Sequence, residues 1–133
     1  MRCAVLGDPI AHSLSPVLHR AGYAAAGLDW EYDAAVVPAG GLASFVDGLT
    51  EEWRGLSVTA PLKREALDYA GAVSATAQRA GAANTLVRDG SGWLADNTDI
   101  PGAMLALRER TAEPLVVATI LGGGATAAST ALA

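Results

Sequence analysis

Short apolar runs alternate along the chain with segments whose apolar residues recur at helical spacing. The first run, Cys3 to Leu6, is typical of a buried strand. A helix is then predicted from about Pro16, with Ser15 as its N-cap and Gly27 as its stop signal. Its apolar positions are Val17, Leu18, Ala21, Ala25 and Leu28.

The pattern repeats twice more. Residues 30–37 predict a second strand and residues 42–49 a short helix. Residues 55–58 predict a third strand, and Pro61 is expected to open a helix that runs to about Tyr69. The order so far is βαβαβα, which is typical of an α/β domain with parallel strands.

The next part of the chain predicts a hairpin. After a small helical segment at 74–79, residues 83–88 and 93–95 are predicted strands on either side of Asp89-Gly90-Ser91-Gly92. This turn composition favours an antiparallel connection. The predicted fold is therefore an α/β domain with a mixed, mainly parallel sheet and helices on both faces.

The end of the chain predicts the start of a second domain. A helix is expected from about Ile100 to Arg110, and Glu113-Pro114 would break it. Residues 115–121 predict a new buried strand, which leads into Gly122-Gly123-Gly124-Ala125-Thr126 and an alanine-rich helical segment. This GxGxxA spacing between a strand and a helix is typical of a dinucleotide-binding loop. We predict a first domain at 1–113, connector helix included, and the start of a Rossmann domain at 114–133.

Composition and charge exclude several classes of protein. Nine basic and fourteen acidic residues give a net charge of −5 without any basic cluster, which argues against a nucleic-acid partner. The only cysteine, Cys3, lies in an apolar run, so we predict that it is a core residue of a cytoplasmic protein. The first residues do not show the pattern of a secretory leader. Residues 114–133 are uncharged, but the three glycines argue against a membrane span. No metal site is predicted.

Four polar groups of residues interrupt the apolar pattern. Ser13 and Ser15 precede a helix, where free amides could help bind an anion, although Ser15 could simply cap that helix. Asn84 lies in an apolar stretch and must bond either to backbone or to a ligand. Asp99 begins the connector helix, which capping alone could explain.

The fourth group, SVTAPLK, ends in Lys63 and follows the third predicted strand. The carboxyl ends of strands are where open α/β sheets bind ligands. Lys63 would lie in the first turn of a helix, where the helix dipole disfavours a cation. A lysine that breaks a local rule is a candidate functional residue, and the alternative is a solvated lysine beside Arg64.

Five motifs occur together in the order GDPIAHSLSP, SVTAPLK, GAANTL, DNTDIPG and LGGGATA. As a set they resemble the shikimate dehydrogenase family over nearly the whole chain. The resemblance implies NADPH-dependent reduction of 3-dehydroshikimate to shikimate in aromatic amino-acid (chorismate) biosynthesis, and it is compatible with a homodimer. It also implies that Lys63 and Asp99 are the catalytic pair and that the loop 122–126 binds NADP. The implied substrate ligands are Ser13, Ser15, Thr59, Lys63, Asn84 and Asp99.

The chain departs from the family pattern at two places. Ser57 stands where asparagine is common, so its side chain reaches less far. The loop has Ala125 where glycine is common, which narrows the space for a pyrophosphate. The resemblance leaves open a quinate or aminoshikimate dehydrogenase, and a non-catalytic domain that binds a small acid. The chain alone is expected to be inactive, because the family's remaining cofactor domain is absent from this sequence.

Overall fold

The fold is built on one six-stranded mixed sheet with strand order β2-β1-β3-β5-β6-β4. The structure, a computed structural model, describes residues 1–111, 113 and 116–133. Within that part of the chain, β5 alone runs against the other five strands. The elements are β1 Arg2–Gly7, α1 Ser15–Ala25, β2 Glu31–Val36, α2 Leu42–Asp47, β3 Trp53–Val58, α3 Lys63–Tyr69, β4 Ala72–Val73, α4 Ala75–Ala80, β5 Thr85–Asp89, β6 Gly92–Asp96, α5 Asp99–Arg108 and α6 Ala125–Ala131.

The sheet is covered by hydrophobic clusters on both faces, as the sequence predicted. Alternate residues of β1 point to opposite sides, so Ala4 and Leu6 join one cluster while Cys3 and Val5 join the other. Residues of α2, α3 and α4 complete the first cluster. Tyr23 of α1 packs on the second. The buried Cys3 is thus a core residue, as predicted.

The predicted antiparallel hairpin is confirmed. β5 and β6 pair with Asp89 opposite Gly92, so only Gly90 and Ser91 form the turn. Gly90 has a φ of +57°, a conformation that glycine adopts without steric cost. The two-residue strand β4, which pairs with β6, was not predicted because so short a segment shows no periodicity.

Two helices begin at different residues from those predicted. α1 already includes Ser15, so Ser15 is not the N-cap, and Pro16 lies inside the first turn. α3 begins at Lys63 and not at Pro61, because the Leu62 N–H donates to the Thr59 carbonyl and closes a separate turn first. Lys63 is thereby the first residue of its helix.

The apolar face of α1 is not buried. Val17 is 67% and Leu18 is 69% exposed, and no residue of α1 is fully buried. Helical spacing correctly predicted a helix, but it does not decide whether another element covers the apolar side. Nothing in the described part of the chain covers this one.

The predicted strand at 115–121 does not form where the structure describes it. Leu115 and the expected domain boundary at Pro114 fall outside the described residues. Val116 and Leu121 are 90% and 95% exposed, and residues 116–121 pair with no described strand. A strand needs a neighbour for its backbone groups. The helical segment after the glycines does form, as α6, and no helix among the described residues is long and apolar enough to cross a bilayer.

Candidate functional site

A cleft of about 240 Å³ opens at the edge of the sheet where β3 and β6 end and β5 begins. Because β5 runs against the others, its first residues meet the last residues of its neighbours. The cleft therefore collects side chains from four distant parts of the sequence. Its lining comprises Val5, Ser15, Ser57, Val58, Thr59, Lys63, Asn84, Thr85, Thr98 and Asp99.

An ion pair between Lys63 and Asp99 lies in this cleft. The Lys63 Nζ donates to Asp99 Oδ2 at 2.6 Å. The side chains are 12% and 27% exposed, so both are shielded from water but still reach the cleft. A charge-assisted hydrogen bond of this kind fixes the direction of the ammonium group. The pairing inferred from the sequence resemblance is present in the geometry.

Asn84 holds the carboxylate of that pair from the other side. Its Nδ2 donates to Asp99 Oδ1 at 2.8 Å and to Thr98 Oγ1 at 2.9 Å. Its Oδ1 accepts from the Thr98 backbone N–H at 3.0 Å and from the Thr85 hydroxyl at 2.9 Å. The sequence left open whether Asn84 bonds to backbone or to a ligand. The structure shows that it orients Asp99 while lining the cleft.

The side chain that supports the start of α1 belongs to Ser13 and not, as predicted, to Ser15. The helix has no side-chain N-cap bond, whereas the Ser15 backbone N–H donates to the Ser13 hydroxyl at 3.3 Å. Ser13 therefore supports the start of α1, and the prediction that Ser15 caps it is wrong. Ser15 lines the cleft, and Ser13 is not among the described residues that do so.

A buried tyrosine supports the floor of the cleft. The Tyr32 hydroxyl donates to Ser57 Oγ at 2.6 Å, and Tyr32 is only 2% exposed. Burial raises the pKa of Tyr32 above its ordinary value, and the hydrogen bond with Ser57 opposes that rise. Sequence reasoning missed Tyr32, because an aromatic residue in a predicted strand gave no sign that its hydroxyl reaches the site.

Gly7 was also missed, and it allows a close contact beside the cleft. A Cβ at this position would lie 2.5 Å from Thr59 Cγ2 and 2.9 Å from the Ala60 carbonyl oxygen.

We expect Gly7→Ala to push Thr59 and Ala60 away from β1 and to lower the free energy of unfolding by about 1 to 3 kcal/mol. Urea denaturation would measure the loss. Gly55→Ala in β3 is the control, because the atom nearest to its Cβ position is Leu86 O at 3.5 Å, and equal losses would contradict the prediction.

A larger cleft of about 730 Å³ lies beside the first, and Lys63 and Thr59 line both. Its far wall is formed by the glycine loop and the start of α6, including Gly122, Gly124 and Thr126. The Lys63 Nζ donates to Thr126 Oγ1 at 3.4 Å, so the lysine lies between the two clefts. Adjacent residues apart, no atom of the described part of the chain lies within 4 Å of the position that a Cβ would take on any of the three loop glycines.

The fold and the cleft define a ligand-binding α/β domain with a lysine–aspartate pair at the carboxyl ends of its strands. The sequence model of the shikimate dehydrogenase substrate binding domain matches residues 5–86. The chain belongs to this family. The match covers the strands and loops that carry Ser15, Thr59, Lys63 and Asn84, and Asp99 lies beyond it.

Individual relatives agree with this assignment. A shikimate dehydrogenase (NADP(+)) from Hyphomonas neptunium is 49% identical over 104 residues, which are 77% of this chain and 38% of the relative. One from Caulobacter vibrioides is 47% identical over 92% of this chain and 45% of the relative. The crystal structure of a Thermus thermophilus shikimate 5-dehydrogenase with NADP(H) and shikimate superposes with a TM-score of 0.91 and 38% identity, over 99% of this chain and 51% of that one. The chain thus spans about half the length of the curated relatives it matches.

Proposed function

We propose that this chain is the substrate-binding half of a shikimate dehydrogenase, which reversibly reduces 3-dehydroshikimate to shikimate with NADPH. The observation that carries the proposal is the Lys63–Asp99 pair, held at 2.6 Å in a cleft lined by Ser15, Thr59 and Asn84. Activity requires the part of the relatives that this chain does not span.

Reduction of a ketone needs a proton donor beside the carbonyl oxygen. As hydride adds to the carbonyl carbon, the C=O π electrons move to oxygen, and the Lys63 ammonium stabilises that charge and gives up a proton to it. Asp99 keeps the ammonium directed at the cleft, and Asn84 keeps Asp99 in place. In the reverse reaction the lysine amine accepts the proton of the substrate hydroxyl.

The remaining groups of the cleft suit a small acid with several hydroxyls. The carboxylate is assigned to the hydroxyl of Ser15, which lines the cleft, and to that of Ser13, which lies two residues before it and outside the lining. The ring hydroxyls are assigned to Thr59, Asn84 and Asp99, with Lys63 at the reacting carbon. Carboxylate oxygens accept hydrogen bonds from hydroxyls, and the Asn84 amide would donate to a substrate hydroxyl in exchange for its bond to Thr98 Oγ1.

The residues that line the larger cleft are suited to binding a nicotinamide cofactor. Loop glycines without neighbours allow a pyrophosphate to approach the backbone, and Lys63 on the opposite wall adjoins the reacting groups. The residues that would hold NADP are Gly122, Gly123, Gly124, Ala125 and Thr126. When bound, the cofactor supplies the hydride.

The same proposal extends to domain organisation, location and assembly. Residues 1–113 form the substrate domain with its connector helix, and residues 114–133 begin the NADP-binding domain. We assign the protein to the cytoplasm, with a small-molecule substrate and no nucleic-acid partner. Light scattering of the whole enzyme would test the homodimer that the family resemblance allows.

Kinetics of a fusion protein test the proposed reaction. The fusion joins this chain to the part of the Caulobacter vibrioides relative that lies outside its match. Steady-state rates with shikimate, quinate and aminoshikimate, each with NADP and NAD, should be highest for shikimate with NADP. A higher kcat/KM for quinate or aminoshikimate would reassign the substrate. Shikimate binding by a fusion without turnover would favour a non-catalytic binding domain.

The revised roles of the serines give a second test. Ser13→Ala should lower stability by about 0.5 to 1 kcal/mol, because the first turn of α1 loses its side-chain acceptor. Ser15→Ala should not have this effect, and both variants should raise the KM for shikimate more than they lower kcat. Thermal melts and steady-state kinetics of the fusion would measure both. A greater loss of stability in Ser15→Ala would contradict the assignment.

A further inference from the structure

The described part of the chain buries two polar residues almost completely, and they bond to each other. Asn97 is 1% exposed and Ser129 is 0% exposed. Asn97 lies between β6 and α5, and Ser129 lies in α6, 32 residues later. Buried polar groups cost free energy unless they are hydrogen-bonded, so this pair calls for a physical account.

Asn97 holds the start of the helix that carries Asp99. Its Oδ1 accepts from the backbone N–H groups of Asp99 at 3.1 Å and of Ile100 at 3.3 Å. These are amides of the first turn of α5, which have no partner within the helix. Its Nδ2 also donates to the Ala82 carbonyl at 2.9 Å, two residues before Asn84. One amide side chain therefore holds the backbone at Asp99 and the backbone two residues before Asn84, which is itself bonded to Asp99.

The second donor hydrogen of that amide reaches α6. Nδ2 donates to Ser129 Oγ at 3.0 Å, while the single hydroxyl hydrogen of Ser129 has two acceptors in reach, the Ala125 carbonyl at 3.1 Å and Asn97 Oδ1 at 3.3 Å. Ser129 lies three residues after Thr126, so the two share one face of α6. Thr126 is the residue that accepts from Lys63 across the larger cleft. One bond in the interior and one in the cleft thus attach the same helical face to the substrate domain.

We infer that Asn97 and Ser129 form a positioning link, which docks the helix after the glycine loop onto the helix of the catalytic pair. The link keeps Thr126 beside Lys63 and so sets the separation of the two cleft walls. Its consequence for catalysis rests on the proposed function: the link fixes the cofactor loop relative to the proton donor. Neither residue touches the reacting atoms.

Ser129→Ala tests the link in the chain itself, since it removes the bond to α6 and leaves the α5 amides paired with Asn97. Thr130→Ala is the matched control, because among the described residues its hydroxyl bonds to Thr126 O alone, within the same helix. Both substitutions raise helix propensity. We expect α6 amides to exchange at least about fivefold faster in Ser129→Ala than in Thr130→Ala, the factor for about 1 kcal/mol. Equal exchange rates would overturn the inference.

Lys63 provides an independent spectroscopic readout, because it is the only lysine in the sequence. Lysine-labelled protein therefore gives one set of side-chain NMR signals, and a nuclear Overhauser contact to the Thr126 methyl reports the docked helix. We expect this contact in the unaltered chain and in Thr130→Ala, and its loss in Ser129→Ala. A contact retained at full intensity in Ser129→Ala would overturn the inference.

The fusion protein separates this inference from the proposed reaction. There Ser129→Ala should raise the KM for NADPH at least about threefold with the KM for shikimate unchanged, because the glycine loop is then held less firmly while the smaller cleft keeps its contacts. An unchanged KM for NADPH would overturn the positioning role. If the fusion does not oxidise shikimate at all, the proposed function fails, while hydrogen exchange and the Lys63 contact still decide the link.

Discussion

Replacing Lys63 with alanine is expected to lower turnover of shikimate by at least about 100-fold, the scale of a lost general acid–base group. The proton donor is the Lys63 ammonium group. Its hydrogen bond to Asp99, 2.6 Å long, directs it toward the cleft. An alanine leaves the developing alkoxide without a proton source. The effect on the KM for shikimate should be smaller, because several other groups hold the substrate.

Steady-state kinetics of the fusion protein would measure this loss, with a thermal melt of each variant to confirm folding. Arg79→Ala is a suitable control, because it removes a cation from the exposed last turn of α4. A Lys63→Ala variant with turnover within a few-fold of the unaltered fusion would remove Lys63 from the mechanism. The turnover of Asp99→Asn should lie between that of Lys63→Ala and that of the unaltered fusion. The asparagine amide still offers Lys63 a hydrogen-bond acceptor, but it lacks the negative charge of the carboxylate.

The central elements of the sheet could be predicted because local pattern and tertiary packing agree there. β1 is buried on both faces and has a continuous apolar run, and the turn between β5 and β6 has the composition that its geometry requires. Lys63 and Asp99 could be paired only through the family resemblance. The two residues are 36 positions apart in the sequence, and the order of the strands in the sheet brings them together. Hydrophobic periodicity does not predict that order.

The errors have a common physical cause. The start of α1, the predicted cap at Ser15 and the predicted strand at 115–121 all depend on partners that the local sequence does not specify. A serine before a proline is a good N-cap by statistics, but here the chain enters the helix one residue earlier. Asn97 entered the sequence analysis only as a letter of the DNTDIPG motif, since nothing in its neighbourhood shows that Ser129 will reach it.

The isolated chain is expected to show no dehydrogenase activity and to bind NADPH far more weakly than the fusion protein. A pyrophosphate site of this type needs a strand that holds the glycine loop at the edge of a sheet. Here Val116 and Leu121 are 90% and 95% exposed, and the residues between them pair with no described strand. The loop must therefore be ordered when the cofactor binds, which costs conformational entropy.

Isothermal titration of NADPH into the isolated chain measures this directly, with the fusion protein as the positive control. Shikimate titration is the internal comparison, because its cleft is formed within the described sheet and should bind in both proteins. Loss of NADPH binding alone would locate the defect in residues 116–124, whereas loss of both would mean that the cleft also depends on the part of the relatives that this chain does not span. Micromolar binding of NADPH by the isolated chain would contradict the prediction, since it would require the Gly122 to Gly124 loop to be preformed without neighbouring strands.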